Sequence, residues 1–276
     1  MKVSICGCGW LGLPLATHLV NKGMDVWGSK QDEAAADSLN DLGINGIQLS
    51  LPDDVIEPKS GPQWQQFFGS DVLVINVAPG RGEYADKRFI ASVLGLAKQA
   101  KLAGCHRIVF ISTTGVYGSA KGIITEDTPV QPETASAKAH VFIEQQLLSQ
   151  WGENVVIIRL AGLIGPKRHP VKFLSNRQGI EHGLDKVNLI HQEDCINAIT
   201  EIMTVWPKKQ ILHLAAPTHP TRQAYYTAMA DLIGIPAPCF SASKERDAKV
   251  VDASETCEQL SLTLKYPDLM VLKPQI

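Results

Sequence analysis

The sequence predicts an α/β protein built on a doubly wound parallel sheet, and three observations carry that expectation. Short apolar runs alternate with longer stretches of helical period from Val3 to Leu160. Several runs, Val72-Leu73-Val74-Ile75 above all, are apolar at every position, the pattern of strands covered on both faces. The first run, Val3 to Cys6, leads straight into Gly7-Cys8-Gly9-Trp10-Leu11-Gly12, a turn that hands a strand to a helix.

In order, Val3 to Cys6 is followed by a helical run from Leu11 to Lys22, Asp25 to Gly28 by Asp32 to Leu42, and Val72 to Val77 by Glu83 to Ala103. Arg107 to Ser112, Ser136 to Trp151 and Val155 to Leu160 continue the series. Beyond Gly162 the rhythm loosens, and Gly165-Pro166, His169-Pro170, His219-Pro220 and Pro236-Ala237-Pro238 punctuate shorter elements. Glu193 to Trp206 and Thr221 to Leu232 keep helical spacing, and Gln210 to Ala215 reads as a late strand. We therefore expect a sheet domain over 1–162 and a smaller C-terminal α+β lobe over 163–276, interleaved with the last sheet strands at 183–215.

Lys and Arg total 26 against 28 Asp and Glu, and the longest basic cluster is Lys167-Arg168-His169, so nucleic acid is not an expected partner. No run reaches the roughly 18 apolar residues of a membrane span. The glycine turn follows Met1 to Cys6 too closely for a signal peptide, so a cytoplasmic protein is expected. Its six scattered cysteines form neither a disulfide framework nor a zinc pattern, and reduced, mostly buried thiols are expected.

Gly7, Gly9 and Gly12 fit a Gly-x-Gly-x-x-Gly turn between a strand and a helix. The first glycine permits the turn, the second admits a pyrophosphate to the backbone of Trp10 and Leu11, and the third lets helix pack on strand. An NAD(P)-binding Rossmann domain follows. The second strand ends at Gly28-Ser29-Lys30, where an NAD site places an acid beside the ribose. Ser29 and Lys30 suit a 2′-phosphate instead, which favours NADP over NAD, while Asp32 stands two residues on as the alternative ribose ligand.

Further stretches join the turn: Ile75-Asn76-Val77-Ala78-Pro79, Val109 to Gly118 with Ser112-Thr113-Thr114-Gly115-Val116-Tyr117, Ile158-Arg159-Leu160-Ala161-Gly162-Leu163-Ile164-Gly165-Pro166, and Leu189-Ile190-His191-Gln192-Glu193-Asp194. Together they resemble the extended short-chain dehydrogenase/reductases, the NAD-dependent epimerases and dehydratases of nucleotide sugars. The resemblance implies that Val77, Ala78, Pro79 and Ser112 line the cofactor, that Leu160, Ala161 and Gly162 border the nicotinamide, and that Thr113 hydrogen-bonds the reacting oxygen. It also implies a Tyr-x-x-x-Lys pair, but counting back from Glu144 puts Ser136 at the tyrosine position and His140 at the lysine position. A serine hydroxyl is far less acidic than a phenol, and neutral imidazole has no fixed charge, so this pair does not replace the family's base by simple substitution. Ser136 and His140, four apart on a helix, form a candidate hydroxyl–imidazole pair. Tyr117, Tyr84 and His191 are candidate relays whose structural roles compete.

Arg81, Arg168 and Arg222 fall on segments near the carboxyl edge of the sheet. With Thr114 they are the expected contacts to an anionic small molecule such as a nucleotide sugar. The helices over 83–103 and 136–151 match the pair with which family members dimerise, and Phe89, Val93, Leu96, Phe142 and Leu147 are the candidate apolar positions for a homodimer. Two functions remain in view: an epimerase, dehydratase or reductase with a degenerate acid–base pair, and a non-catalytic module that senses dinucleotide.

Overall fold

The computed structural model describes residues 1–242 and 248–276. In chain order the strands are β1 (Lys2–Cys6), β2 (Asp25–Lys30), β3 (Asn45–Gln48), β4 (Val72–Ile75), β5 (Arg107–Thr113), β6 (Gly122–Ile124), β7 (Val155–Leu160), β8 (Gly162–Ile164), β9 (Leu189–His191), β10 (Ile211–Leu214) and β11 (Lys249–Val251). The helices are α1 (Gly12–Asn21), α2 (Glu33–Asp37), α3 (Asp53–Ile56), α4 (Pro62–Phe68), α5 (Ala85–Leu102), α6 (Ala135–Trp151), α7 (Val171–Leu174), α8 (Gln192–Val205), α9 (Arg222–Ile233) and α10 (Ser254–Gln259). Seven strands lie side by side in the order β10-β7-β5-β4-β1-β2-β3, all parallel. The chain builds β1 to β3 outward in one direction, then returns to β4 and builds the other way. That reversal opens a crevice at the carboxyl ends of β1 and β4, where doubly wound sheets bind ligands. In the segment 183–215, β10 joins the main sheet, whereas β9 pairs with β8 in a separate ribbon; β6 and β11 form another.

Burial on both faces explains why the strands are apolar throughout. Val72 and Val74 pack with Val3, Ile5 and Ile158 against Leu15 and Leu19 of α1 and Ile199 and Ile202 of α8. Their neighbours Leu73 and Ile75 face the other way, with Ile108 and Phe110, onto Phe67 of α4, Val93 of α5 and Ile143 of α6. Of the five apolar positions named for a dimer, Phe89, Val93, Leu96 and Leu147 belong to this second layer, and Phe142 alone is exposed. These helices use their apolar stripe on their own sheet. Beyond β8 a third core gathers Ile164, Val171, Val187, Tyr225, Met229 and Leu269. Among the described residues no helix is long and apolar enough to cross a membrane.

Beneath the carboxyl ends of β5, β7 and β10 runs a buried polar chain. Ser112 donates to Glu144 Oε1 at 2.5 Å, and Arg159 grips the same carboxylate with Nη2 at 2.6 Å and Nε at 3.2 Å. Arg159 Nη1 also donates to the Tyr117 hydroxyl at 2.6 Å, and that hydroxyl lies 2.6 Å from His213 Nε2. His213 Nδ1 is 2.9 Å from the Asp252 carbonyl, which can only accept, so Nδ1 carries the hydrogen and Nε2 accepts from Tyr117. Every polar group in the chain has a partner, and α6 is thereby bolted to β5 and β7.

Removing one partner of a buried ion pair strands the other charge. Arg159→Met is therefore expected to lower the unfolding free energy by about 3–5 kcal/mol in urea titrations, and Glu144→Met/Arg159→Met to recover part of that loss. A second expectation concerns pH. Burial lowers the pKa of His18, His140, His169, His191, His213 and His219, in the case of His169 to about 4. The unfolded chain takes up these protons from about pH 6.5 downward, before the folded chain does. Stability is complete above that pH and falls on acidification, for His169 until about pH 4 is passed. The urea midpoint should be lower at pH 5.0 than at pH 7.5.

Candidate functional site

The turn between β1 and α1 is fixed from two sides. Gly7 has φ +97°, and a Cβ there would lie 2.4 Å from the Asn76 carbonyl oxygen; one on Gly12 would lie 2.2 Å from the Gly7 carbonyl oxygen. Asn76, just past β4, donates its side-chain amide to the Gly7 carbonyl at 3.0 Å. Gly9 is different, because a Cβ there would meet nothing within 4 Å. The protein's own packing demands the outer two glycines, and the middle one leaves open space. Backbone donors surround that space. Gly7, Cys8 and Gly9 N–H groups bond Ser29 Oγ, the Ser29 carbonyl and the Gly7 carbonyl, whereas those of Trp10, Leu11 and Gly12 meet no acceptor among the described residues. Three unpartnered amides at a helix start, over a position with room for an oxyanion, fit a dinucleotide's diphosphate. Leu11 itself is buried in the core, and Trp10 is half-buried.

From this turn a cleft of about 520 Å³ extends across the ends of β2 and β4, lined by Lys30, Gln31, Val77, Ala78, Arg81 and Arg88 among others. Pro79 follows the lining residues. Ser29, expected to donate to a 2′-phosphate, also lines the cleft, and in this structure its oxygen accepts from Gly7 N at 3.0 Å while its hydroxyl points to Cys6 Sγ at 3.6 Å, so it pins the turn. Asp32, the alternative ribose ligand, caps α2 by accepting from Ala35 N at 2.9 Å. Cys6 and Cys8 lie buried along the cleft floor, and burial pushes their thiols up to about 12 and about 11.

At the end of β5, Thr113 Oγ1 accepts from Gly115 N at 3.0 Å and so caps the short helical turn Thr114–Tyr117. Its own hydrogen meets no acceptor among the described residues. Thr114 is buried beside it. Ser112, expected to touch cofactor, donates its hydroxyl inward to Glu144. Leu160 and Ala161 are buried and Gly162 is exposed where β7 passes into β8; Ala161 N bonds the Leu214 carbonyl at 2.9 Å and Gly162 N the Asn188 carbonyl at 3.0 Å.

The expected Ser136–His140 pair does not form through the hydroxyl. His140 Nδ1 instead donates to the Ser136 backbone carbonyl at 2.8 Å, and its ring packs 4.8 Å from Phe89 and 6.1 Å from Phe110, centroid to centroid. Burial lowers its pKa, so the lysine position holds a neutral ring. The other relays are engaged as well. Tyr117 belongs to the buried chain, and His191 Nδ1 accepts from Glu193 N while its ring packs tilted against Tyr266, 4.1 Å between centroids. Tyr84 is exposed at the start of α5.

The three arginines are not gathered into one pocket. Arg81 lines the cleft; Arg168 lies 4.9 Å over the Trp10 ring; Arg222 donates to the carbonyls of Glu181 and His182 at 3.1 and 3.4 Å. Arg222 holds its own loop and is not among the residues lining this cleft. Sequence reasoning passed over Arg88, one helical turn after Tyr84, and the polar hold of Asn76, whose signal was an amide inside an otherwise apolar strand end.

These geometries separate two glycines. Gly12→Ala should cost about 2 kcal/mol or more by forcing backbone apart, whereas Gly9→Ala should melt like the parent and lose the thermal shift given by added dinucleotide.

The sequence pattern of the NAD dependent epimerase/dehydratase family matches residues 4–215. Protein YeeZ of Escherichia coli (strain K12) is 35% identical over 274 residues, covering 98% of each chain. Two solved structures share the fold. UDP-glucuronic acid 4-epimerase from Bacillus cereus, in complex with NAD, superposes with a TM-score of 0.77 at 16% identity, over 98% of this chain and 93% of that one. dTDP-glucose 4,6-dehydratase from Bacillus anthracis str. Ames, in complex with NAD, gives 0.79 at 15% identity, over 96% and 92%. Because the matched span runs from the first sheet strand through the last, it takes in the whole scaffold that presents the turn, and the chain belongs to the NAD dependent epimerase/dehydratase family.

Proposed function

We propose that the protein binds NADP in preference to NAD across the β1–β4 crevice and acts on an anionic, nucleotide-sugar-like substrate with a reduced acid–base apparatus. The three open amides of Trp10, Leu11 and Gly12 above Gly9 carry this reading. They would hold the diphosphate, with Val77 and Ala78 along the cleft and Leu160, Ala161 and Gly162 beside the nicotinamide. Lys30 would meet the 2′-phosphate, with Arg81 and Arg88 adding positive charge to the same cleft. Asp32, which caps α2 through Oδ1, is the acid that would select NAD instead. When bound, the dinucleotide supplies a reversible hydride acceptor. The nucleotide-sugar class rests on the substrates named for the two solved neighbours.

Thr113 would orient a reacting hydroxyl or carbonyl, a role supported by its hydrogen meeting no acceptor among the described residues. Proton transfer is the weak step. A positioned acid or base contributes about 10²–10⁴ in rate, and neither Ser136 nor neutral His140 offers the phenol and cation of the family pair. The engagement of His140 with the Ser136 carbonyl favours a second reading, a dinucleotide-binding module without turnover.

Calorimetry with both reduced cofactors tests the first step: NADPH should bind about tenfold tighter than NADH, and Lys30→Ala should abolish the difference. Binding of neither cofactor at millimolar concentration would overturn the reading, and tighter NADH would remove the role given to Lys30. Slow turnover with a panel of UDP- and dTDP-sugars, lost in Thr113→Val, identifies an enzyme. Tight binding without turnover identifies the binding module.

A further inference from the structure

The loop after β8 reaches back across the chain to the glycine turn. Gly165 and Arg168 exchange reciprocal backbone hydrogen bonds, each 3.0 Å, which close Gly165-Pro166-Lys167-Arg168 into a tight loop. Trp10 Nε1 donates to the Pro166 carbonyl at 2.7 Å, and Gln192, opening α8, donates to the Trp10 carbonyl at 2.5 Å. The approach is close enough that a Cβ on Gly165 would lie 3.2 Å from Trp10 Cζ2 and 3.0 Å from Gln192 Cβ. Trp10 is therefore held by the loop through its side chain, while its backbone N–H is one of the three open donors of the turn.

Arg168 completes the arrangement. Its guanidinium lies over the Trp10 ring at 4.9 Å, and among the described residues it meets no carboxylate and no carbonyl. Stacking occupies the face of a guanidinium and leaves its in-plane N–H groups free, the edge that pairs with phosphate oxygens. The next residue fastens the loop at its far end. His169 Nδ1 accepts from Val171 N at 3.3 Å, so Nε2 carries the hydrogen and donates to the Tyr225 hydroxyl at 2.9 Å, inside the third core.

We propose that Arg168 is a phosphate ligand acting from the loop side: it closes on the diphosphate held by the turn, so that a bound dinucleotide tightens the 165–169 strap and the C-terminal core behind it. This rests on the dinucleotide reading above and reassigns Arg168 from the substrate to the cofactor. Coupling of this kind is reciprocal, so loosening the strap weakens the dinucleotide by the factor with which the dinucleotide steadies the strap.

Calorimetry of the full chain with NADPH, NADH and UDP, in the parent, Arg168→Gln and Trp10→Phe, provides the test. Both variants alter partly or fully exposed side chains, and their melting temperatures check that they fold. Arg168→Gln should weaken whichever dinucleotide the parent binds by about tenfold or more, and Trp10→Phe by a smaller factor. Hydrogen exchange across 163–170 should slow on dinucleotide addition in the parent and not in Arg168→Gln. If the parent binds dinucleotide and Arg168→Gln binds it within twofold, the strap proposal is overturned and the dinucleotide reading stands. A loss confined to UDP returns Arg168 to the substrate and likewise overturns it. A parent that binds no dinucleotide removes the underlying reading, and the strap with it.

Discussion

The site depends on how closely the ends of β1 and β4 approach each other. Gly7 has no room for a side chain against the Asn76 carbonyl, Gly12 has none against the Gly7 carbonyl, and the Asn76 amide then bonds that same carbonyl. With those contacts made, α1 can start in one place, and the amides of its first turn are left without partners in the protein. A widening of this junction by the length of one methyl group would move the donors off any diphosphate they could share. The parallel sheet supplies the junction through register, Cys6 standing opposite Ile75.

What was legible in the sequence follows from what leaves a repeated mark. Val72-Leu73-Val74-Ile75 announces a doubly covered strand because successive side chains bury on opposite faces, and the glycine turn announces itself because spacing and position coincide. β3 left no such mark. Of Asn45-Gly46-Ile47-Gln48, Ile47 alone is buried, and Gly46 is there because a Cβ would lie 2.0 Å from the Ala36 carbonyl oxygen. Apolar stripes on α5 and α6 were legible as stripes, but not what they face: Phe89 and Leu147 pack inward, where a dimer surface had been expected.

The polar residues read as ligands have one feature in common. Ser29, Ser112 and His140 are residue types that serve ligands or backbone with equal facility, and each is taken by its own scaffold: a turn amide and a thiol, a buried carboxylate, a helix carbonyl. Sequence spacing gives proximity along a helix or strand and says nothing about which acceptor lies across from it. The buried chain from Ser112 to Asp252 illustrates this, since its members come from five separate segments. It also gives α6 a rigid seat, so the neutral ring at residue 140 is held in position whether or not it takes part in chemistry.

The floor of the nucleotide cleft has a chemical consequence of its own. Two sulfur atoms lie there within a few residues of the turn, yet burial keeps both protonated, with values pushed up to about 12 and about 11. Oxidants and alkylating agents attack thiolates, so near neutral pH burial shields both sulfurs from reaction. Cys239 is exposed, on the far part of the chain, and is the sulfur such reagents meet first. The sulfurs at the crevice floor are therefore kept as thiols, and reagents that seek a thiolate are steered away from the place where a dinucleotide would lie.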